Sequence, residues 1–206
     1  MNEYSPDWMS KLPAVRESER IFKAAAMLDA LLSPEWEFRY YSYNREWGEG
    51  EEMASMRDGE GSHYFALFAG ERLMIKGFDH ERVESGESAI GIGPVPDEIE
   101  EFLREPAFMG DLTTFCLWNL PTNGKWEADK SYSAPDCRLL RILTEEAAYY
   151  RDWAAEYFEV ELEPETVRRF FDLEPLTPEL IALVNDELSL EDLEEDLREI
   201  GYPAGV

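Results

Sequence analysis

The apolar residues change period along the chain. Ile21, Ala24, Ala25, Leu28, Leu31 and Leu32 recur at three- and four-residue spacing and predict a helix over about Val15–Leu32 with one apolar stripe. Ser33-Pro34 ends it, because a residue before proline avoids the helical region. From Trp36 to Tyr43 the period drops to two. Alternation puts Trp36, Phe38 and Tyr40 on one face and Tyr41 and Tyr43, beside Arg39 and Arg45, on the other. After a Gly/Glu-rich loop at Trp47–Gly50, the segments Glu52–Arg57, Ser62–Ala69 and Arg72–Phe78 read as an antiparallel meander. Its connections, Asp58–Gly61 and Gly70-Glu71, carry turn chemistry.

His80–Val95 reads as loop and Pro96–Arg104 as a short helix with Ile99, Phe102 and Leu103 on its apolar side. Thr113–Trp118 has the uninterrupted β-branched and aromatic content of a buried strand. From about Thr144 the pattern is helical to the end. Segments are expected at Thr144–Phe158, at Pro164–Phe171, after the Thr177-Pro178 cap, and from Ser189 to Ile200, where Gly201 stops the last one. Strands joined by tight turns exclude a doubly wound fold. The pattern predicts an α+β chain: an N-terminal helix, a central mostly antiparallel sheet of about five strands, and C-terminal helices packed on it. One domain over residues 1–206 is expected, helical from about 144.

Charge changes the functional picture more than the structural one. The 206 residues include 46 acidic and 19 basic ones, for a net charge of −27. Phosphate backbones and anionic bilayers are repelled by such a surface, so neither nucleic acid nor a membrane is an expected partner. Residues 156–199 hold 16 acids and 3 basic residues, about half of the excess in about a fifth of the chain. Glu191, Glu194 and Glu195 lie on the face of the last helix opposite its leucines. Like charges three and four apart cost a helix about 0.2–0.5 kcal/mol per pair, which stability alone would not select. The start lacks a basic-then-apolar leader, no apolar run reaches membrane-spanning length, and Cys116 and Cys137 make no disulfide framework; a cytoplasmic chain with reduced thiols is the expectation.

Candidate chemistry is sparse. Asp79, His80 and Glu81 are the one cluster with acid–base or metal-binding residue types. If extended, the segment points His80 away from the two acids. With two histidines and no CxxC pair, no metal site and no cofactor are expected. Cys116 reads as a buried thiol and Cys137 as a more exposed one; His63 opens a strand.

In order along the chain, Gly77–Glu81, Glu105–Phe108 and Thr114–Trp118 resemble an uncharacterised family of small acidic bacterial α+β proteins, over about residues 50–120. The resemblance implies no catalytic residue. In overall make-up the chain is also similar to bacterial toxin-immunity proteins, many of which block basic toxins with acidic surfaces. The leading expectation is therefore a non-enzymatic protein-binding role, of immunity type, against a basic protein. Tyr41, Tyr43 and Trp47 would be its anchors and Glu191, Glu194 and Glu195 its acidic face. The alternative is a small-molecule hydrolase or other enzyme at Asp79, His80 and Glu81.

Overall fold

Alanine is small enough to let a helix be enclosed on every side. In the computed structural model, which describes residues 8–84, 95–109, 112–129 and 137–205, helix α1 spans Val15–Leu32 and buries eleven of its 18 residues. From Ala24 to Leu31 every position is buried, including Asp29, so the expected single stripe is instead a fully enclosed segment. It touches strand β1 (Tyr41–Gly48) and the helices α4 (Ile142–Tyr157), α5 (Pro164–Phe171) and α7 (Glu194–Ile200). Ala24, Ala25, Ala26 and Ala30 permit that close approach while keeping high helix propensity.

The sheet is a meander of six strands, one more than the pattern suggested: β1, β2 (Glu51–Arg57), β3 (His63–Ala69), β4 (Arg72–Phe78), β5 (Phe115–Asn119) and β6 (Trp126–Ala128). They lie in chain order and every neighbour is antiparallel. Alternation builds two cores. Tyr41, Tyr43, Met56, Tyr64, Phe68 and Ile75 face α1 and the C-terminal helices. Met53, Phe65, Leu67, Met74, Cys116 and Trp118 face Ile99 and Phe102 of α3 (Asp97–Arg104) and Phe108. Gly77 is required in β4: a Cβ there would sit 2.3 Å from the Phe115 ring.

The sequence places β1 out of phase. Trp36–Phe38 fold into a 3-10 turn, with Trp36 48% and Phe38 57% exposed, and the strand begins at Tyr41. The phase is set by Asp29, whose carboxylate accepts both Tyr40 N–H and Tyr41 N–H at 2.8 Å. Tyr41 and Tyr43 consequently turn inward and are each 2% exposed, which corrects the expectation of an exposed tyrosine face. Between Asn44 and Gly48 the β1–β2 register shifts, and Trp47 packs into the second core, stacked on Phe108 with ring centroids 5.4 Å apart.

Elsewhere the boundaries agree closely with the pattern, α5 and β4 to the residue. His80–Glu84 is a short helix, α2, and not loop; the rest of the expected loop to Pro94 lies outside the described residues. A further helix, α6, spans Pro178–Ala182. Helix α7 starts five residues later than expected, although Ser189 and Asp192 do make capping contacts, Oγ to Oδ2 at 2.6 Å. Gly201 closes α7 in the left-handed conformation at φ 69°. Among the described residues no helix is long and apolar enough to cross a membrane.

Candidate functional site

The end of β4 and the start of β3 bring Asp79, His80 and Ser62 together, and Arg138 joins them from 59 residues further on. Asp79 is 4% exposed and grips the Arg138 guanidinium with both oxygens, at 3.0 and 2.7 Å. Its backbone N–H donates to Thr114 Oγ1 at 2.9 Å. The same guanidinium lies 3.4 Å from Glu81 and donates to Ser62 Oγ at 3.0 Å. His80 N–H also donates to that hydroxyl, at 3.3 Å. With its lone pairs occupied, the Ser62 hydroxyl has its own proton left for His80 Nδ1, 2.7 Å away, which puts the ring proton on Nε2. Both acids face Arg138 while His80 faces Ser62; the backbone at His80 is helical, so the alternation expected of an extended segment does not apply, and all three converge on the Ser62–Arg138 pair.

This arrangement is a lock on the chain, not a nucleophile relay. A relay needs an accessible hydroxyl and a carboxylate holding the far side of the imidazole. Ser62 is 1% exposed, and the Asp79 carboxylate is bound to Arg138 instead of His80. Asp79 and Glu81 both raise the Arg138 pKa against a desolvation that lowers it. Clefts of about 980 and 520 Å³ are lined by other residues. Among the described residues no group of three or more His, Cys, Asp and Glu side chains is placed to hold a metal ion.

The larger cleft contains three cations that the sequence reading passed over, Arg16, Arg20 and Lys23 of α1. Two are compensated within the chain. Arg20 pairs with Glu17 and Glu146, and Lys23 with Glu19 and Glu52. Lys76 was also missed: it is 1% exposed under α3, its Nζ 3.4 Å from the Leu103 carbonyl and its Cα opposite Cys116. Cys116 is fully buried and desolvation pushes its thiol well up, as expected of an inert cysteine. Cys137 is 7% exposed, which corrects its expected exposure. His63 opens β3 at 6% exposure, with burial lowering its pKa.

A different corner keeps its side chains open. Glu191, Glu194 and Glu195 are exposed on and just before α7. Asp196 of the same helix pairs with Arg39, whose guanidinium also donates to the carbonyls of Ser33 at 2.8 Å and Pro34 at 2.9 Å. One buried arginine thus ties the Trp36–Phe38 turn to the acidic helix. The Arg57 guanidinium covers one face of Trp36, 4.6 Å from its centroid. Nearby, Tyr157 is 43% exposed and its ring lies 5.4 Å from that of Tyr40. Of the expected anchors, Tyr41 and Tyr43 are in the core, Trp47 is half-buried on the second core, and only the three glutamates are open to a partner. Trp36 and Phe38, on the face that alternation set opposite Tyr41 and Tyr43, are exposed, as is Tyr157.

Comparison with known proteins finds no family model, no curated protein and no solved structure that matches this chain.

Proposed function

We propose that this chain is a non-enzymatic binding protein that engages a basic protein partner through the acidic surface of its C-terminal helices, in the manner of an immunity-type inhibitor. The observation that carries this reading is the charge of one segment, in which Asp196 pairs with Arg39 and the other acids are largely uncompensated. Residues 178–199 contain nine acids and one basic residue, Arg198, whose nearest carboxylate contact is a loose 3.6 Å to the exposed Glu195. Elsewhere cations are more frequent and several acids meet one: Arg168 meets Glu165 and Asp172, Arg169 meets Glu174, and Arg141 meets Glu145. A one-signed, solvent-exposed patch steers cationic partners and rejects others. The alternative of an enzyme at Asp79, His80 and Glu81 gains nothing from the geometry, since the two acids face Arg138 and His80 faces the buried Ser62.

The test is affinity capture from host lysate at low and high salt, with wild type and with Glu191→Lys, Glu194→Lys and Glu195→Lys combined. A basic protein held by wild type at low salt, shed at high salt and lost by the variant is the expected result. Equal capture by both proteins at both salts would overturn the reading.

A further inference from the structure

The Trp36–Phe38 turn has the properties of an interface anchor. Its two large aromatic side chains are about half exposed on a loop that is otherwise fixed. Arg39 clamps it through two backbone carbonyls and Asp196. Phe38 N–H and Arg39 N–H close the turn onto the Glu35 and Trp36 carbonyls at 3.1 and 3.2 Å. Asp29 holds the next two residues by their N–H groups. A rigid aromatic loses little entropy on docking, and Trp and Tyr dominate binding hot spots. Among the described residues Phe38 has no ring partner.

Charge identifies the occupant. Glu35 and Glu37 alternate with the two aromatics and are exposed, and the clamp places the turn beside the acids of α7. Aromatic faces flanked by carboxylates recognise guanidinium groups, which stack on a ring and pair with a carboxylate at once; an ammonium does this less well. The chain already makes this contact internally, with Arg57 on Trp36. A second copy of this chain would bring −27 against −27. Resting on the acidic-surface reading above, we propose that Trp36 and Phe38 are the anchors of that interface and that they seat arginine side chains of a basic protein partner.

The test uses the full chain and two labelled peptides, one arginine-rich and one with every arginine replaced by lysine, titrated by fluorescence anisotropy. The arginine peptide is expected to bind about five-fold more tightly. Combined Trp36→Ala and Phe38→Ala should abolish that preference, while the Glu191, Glu194 and Glu195 reversal weakens both peptides alike and flattens the salt dependence. Thermal melting confirms that each variant is folded. No arginine preference, or one that survives in the double alanine variant, overturns the anchor assignment. The acidic-surface reading falls separately if the charge reversal weakens neither peptide. Sedimentation showing a dimer that Trp36→Ala and Phe38→Ala dissolve would assign the turn to a second copy and overturn the proposal.

Discussion

Around Ser62 the polar groups tie to one another: the hydroxyl is taken by His80 and Arg138, and the Asp79 carboxylate by the same arginine. Around Trp36 the opposite holds. There the arginine is buried and the aromatics and carboxylates are open. Both corners use one guanidinium to join distant segments, Arg138 over 59 residues and Arg39 over 157. The difference lies in what each joint hides. Residue types that suggest catalysis can be used to hold a chain together, whereas residues that suggest a core can be presented to solvent by a joint behind them.

The largest expected effect breaks the closed corner. Arg138→Ala leaves Asp79, 6% exposed at its side chain, without its counter-charge. Uncompensated buried charges cost about 3–5 kcal/mol, and partial exposure of Arg138 favours the low end, about 3 kcal/mol. Arg138→Lys should recover only part of this, because an ammonium cannot grip both oxygens and also reach Ser62. Urea unfolding midpoints decide it; an unchanged midpoint for the alanine variant would mean the corner is not a lock.

A second prediction concerns the buried acid behind the open corner. Asp29 is fully buried and has only neutral donors: Tyr40 N–H, Tyr41 N–H and the Tyr150 hydroxyl at 2.7 Å. Desolvation raises its pKa from 3.8 to about 7 against the lowering effect of those bonds and of Arg39. The folded state therefore binds a proton more tightly than the unfolded chain. The contribution of Asp29 is best below pH 4 and declines as pH rises to about 7, then stays level. An asparagine in its place would imitate the protonated form, with the side-chain oxygen accepting both N–H groups and the amide donating to Tyr150. Asp29→Asn should match wild type near pH 4 and exceed it above pH 7, by about 4 kcal/mol. Parallel stability profiles across that range would show that the three donors keep Asp29 ionised throughout.

A smaller effect separates the lock from its parts. Ser62→Ala removes one acceptor of the Arg138 guanidinium and the donor to His80, but spares the Asp79–Arg138 pair. A loss of about 1 kcal/mol is expected in the same unfolding assay. A loss as large as that of Arg138→Ala would make the hydroxyl, and not the ion pair, the centre of the corner.

The fold was legible where signals are local. Ser33-Pro34, Pro164 and Gly201 mark ends that depend on one or two residues' own dihedral limits, and the observed boundaries follow them. β6 escaped because Trp126–Ala128 is three residues long without a β-branched side chain. The candidate corners were half legible. Asp79, His80 and Glu81 are adjacent in sequence, but Arg138 and Ser62 are not, and only their contacts reveal what the cluster is tied to. The anchor turn was misassigned because Trp36-Glu37-Phe38-Arg39-Tyr40 alternates as a strand does. What breaks the strand is Asp29, an acid in the middle of an apolar helix face, whose reach to Tyr40 and Tyr41 no spacing rule reports.

The smallest expected change in stability carries the sharpest contrast. Trp36→Ala and Phe38→Ala each remove a side chain that is about half exposed, so little buried area is lost. Surface substitutions away from special features usually fall within about 0.5 kcal/mol of wild type. Trp36 should lie at the upper end, because truncating it also frees the Arg57 guanidinium from its ring. Phe38 should be near neutral. If both are neutral for folding, their exposure is not a by-product of core packing, and an effect on peptide affinity then belongs to the interface alone. If Phe38→Ala instead costs as much as a core truncation, about 3 kcal/mol or more, the turn is part of the core's support and the contrast between the two corners disappears.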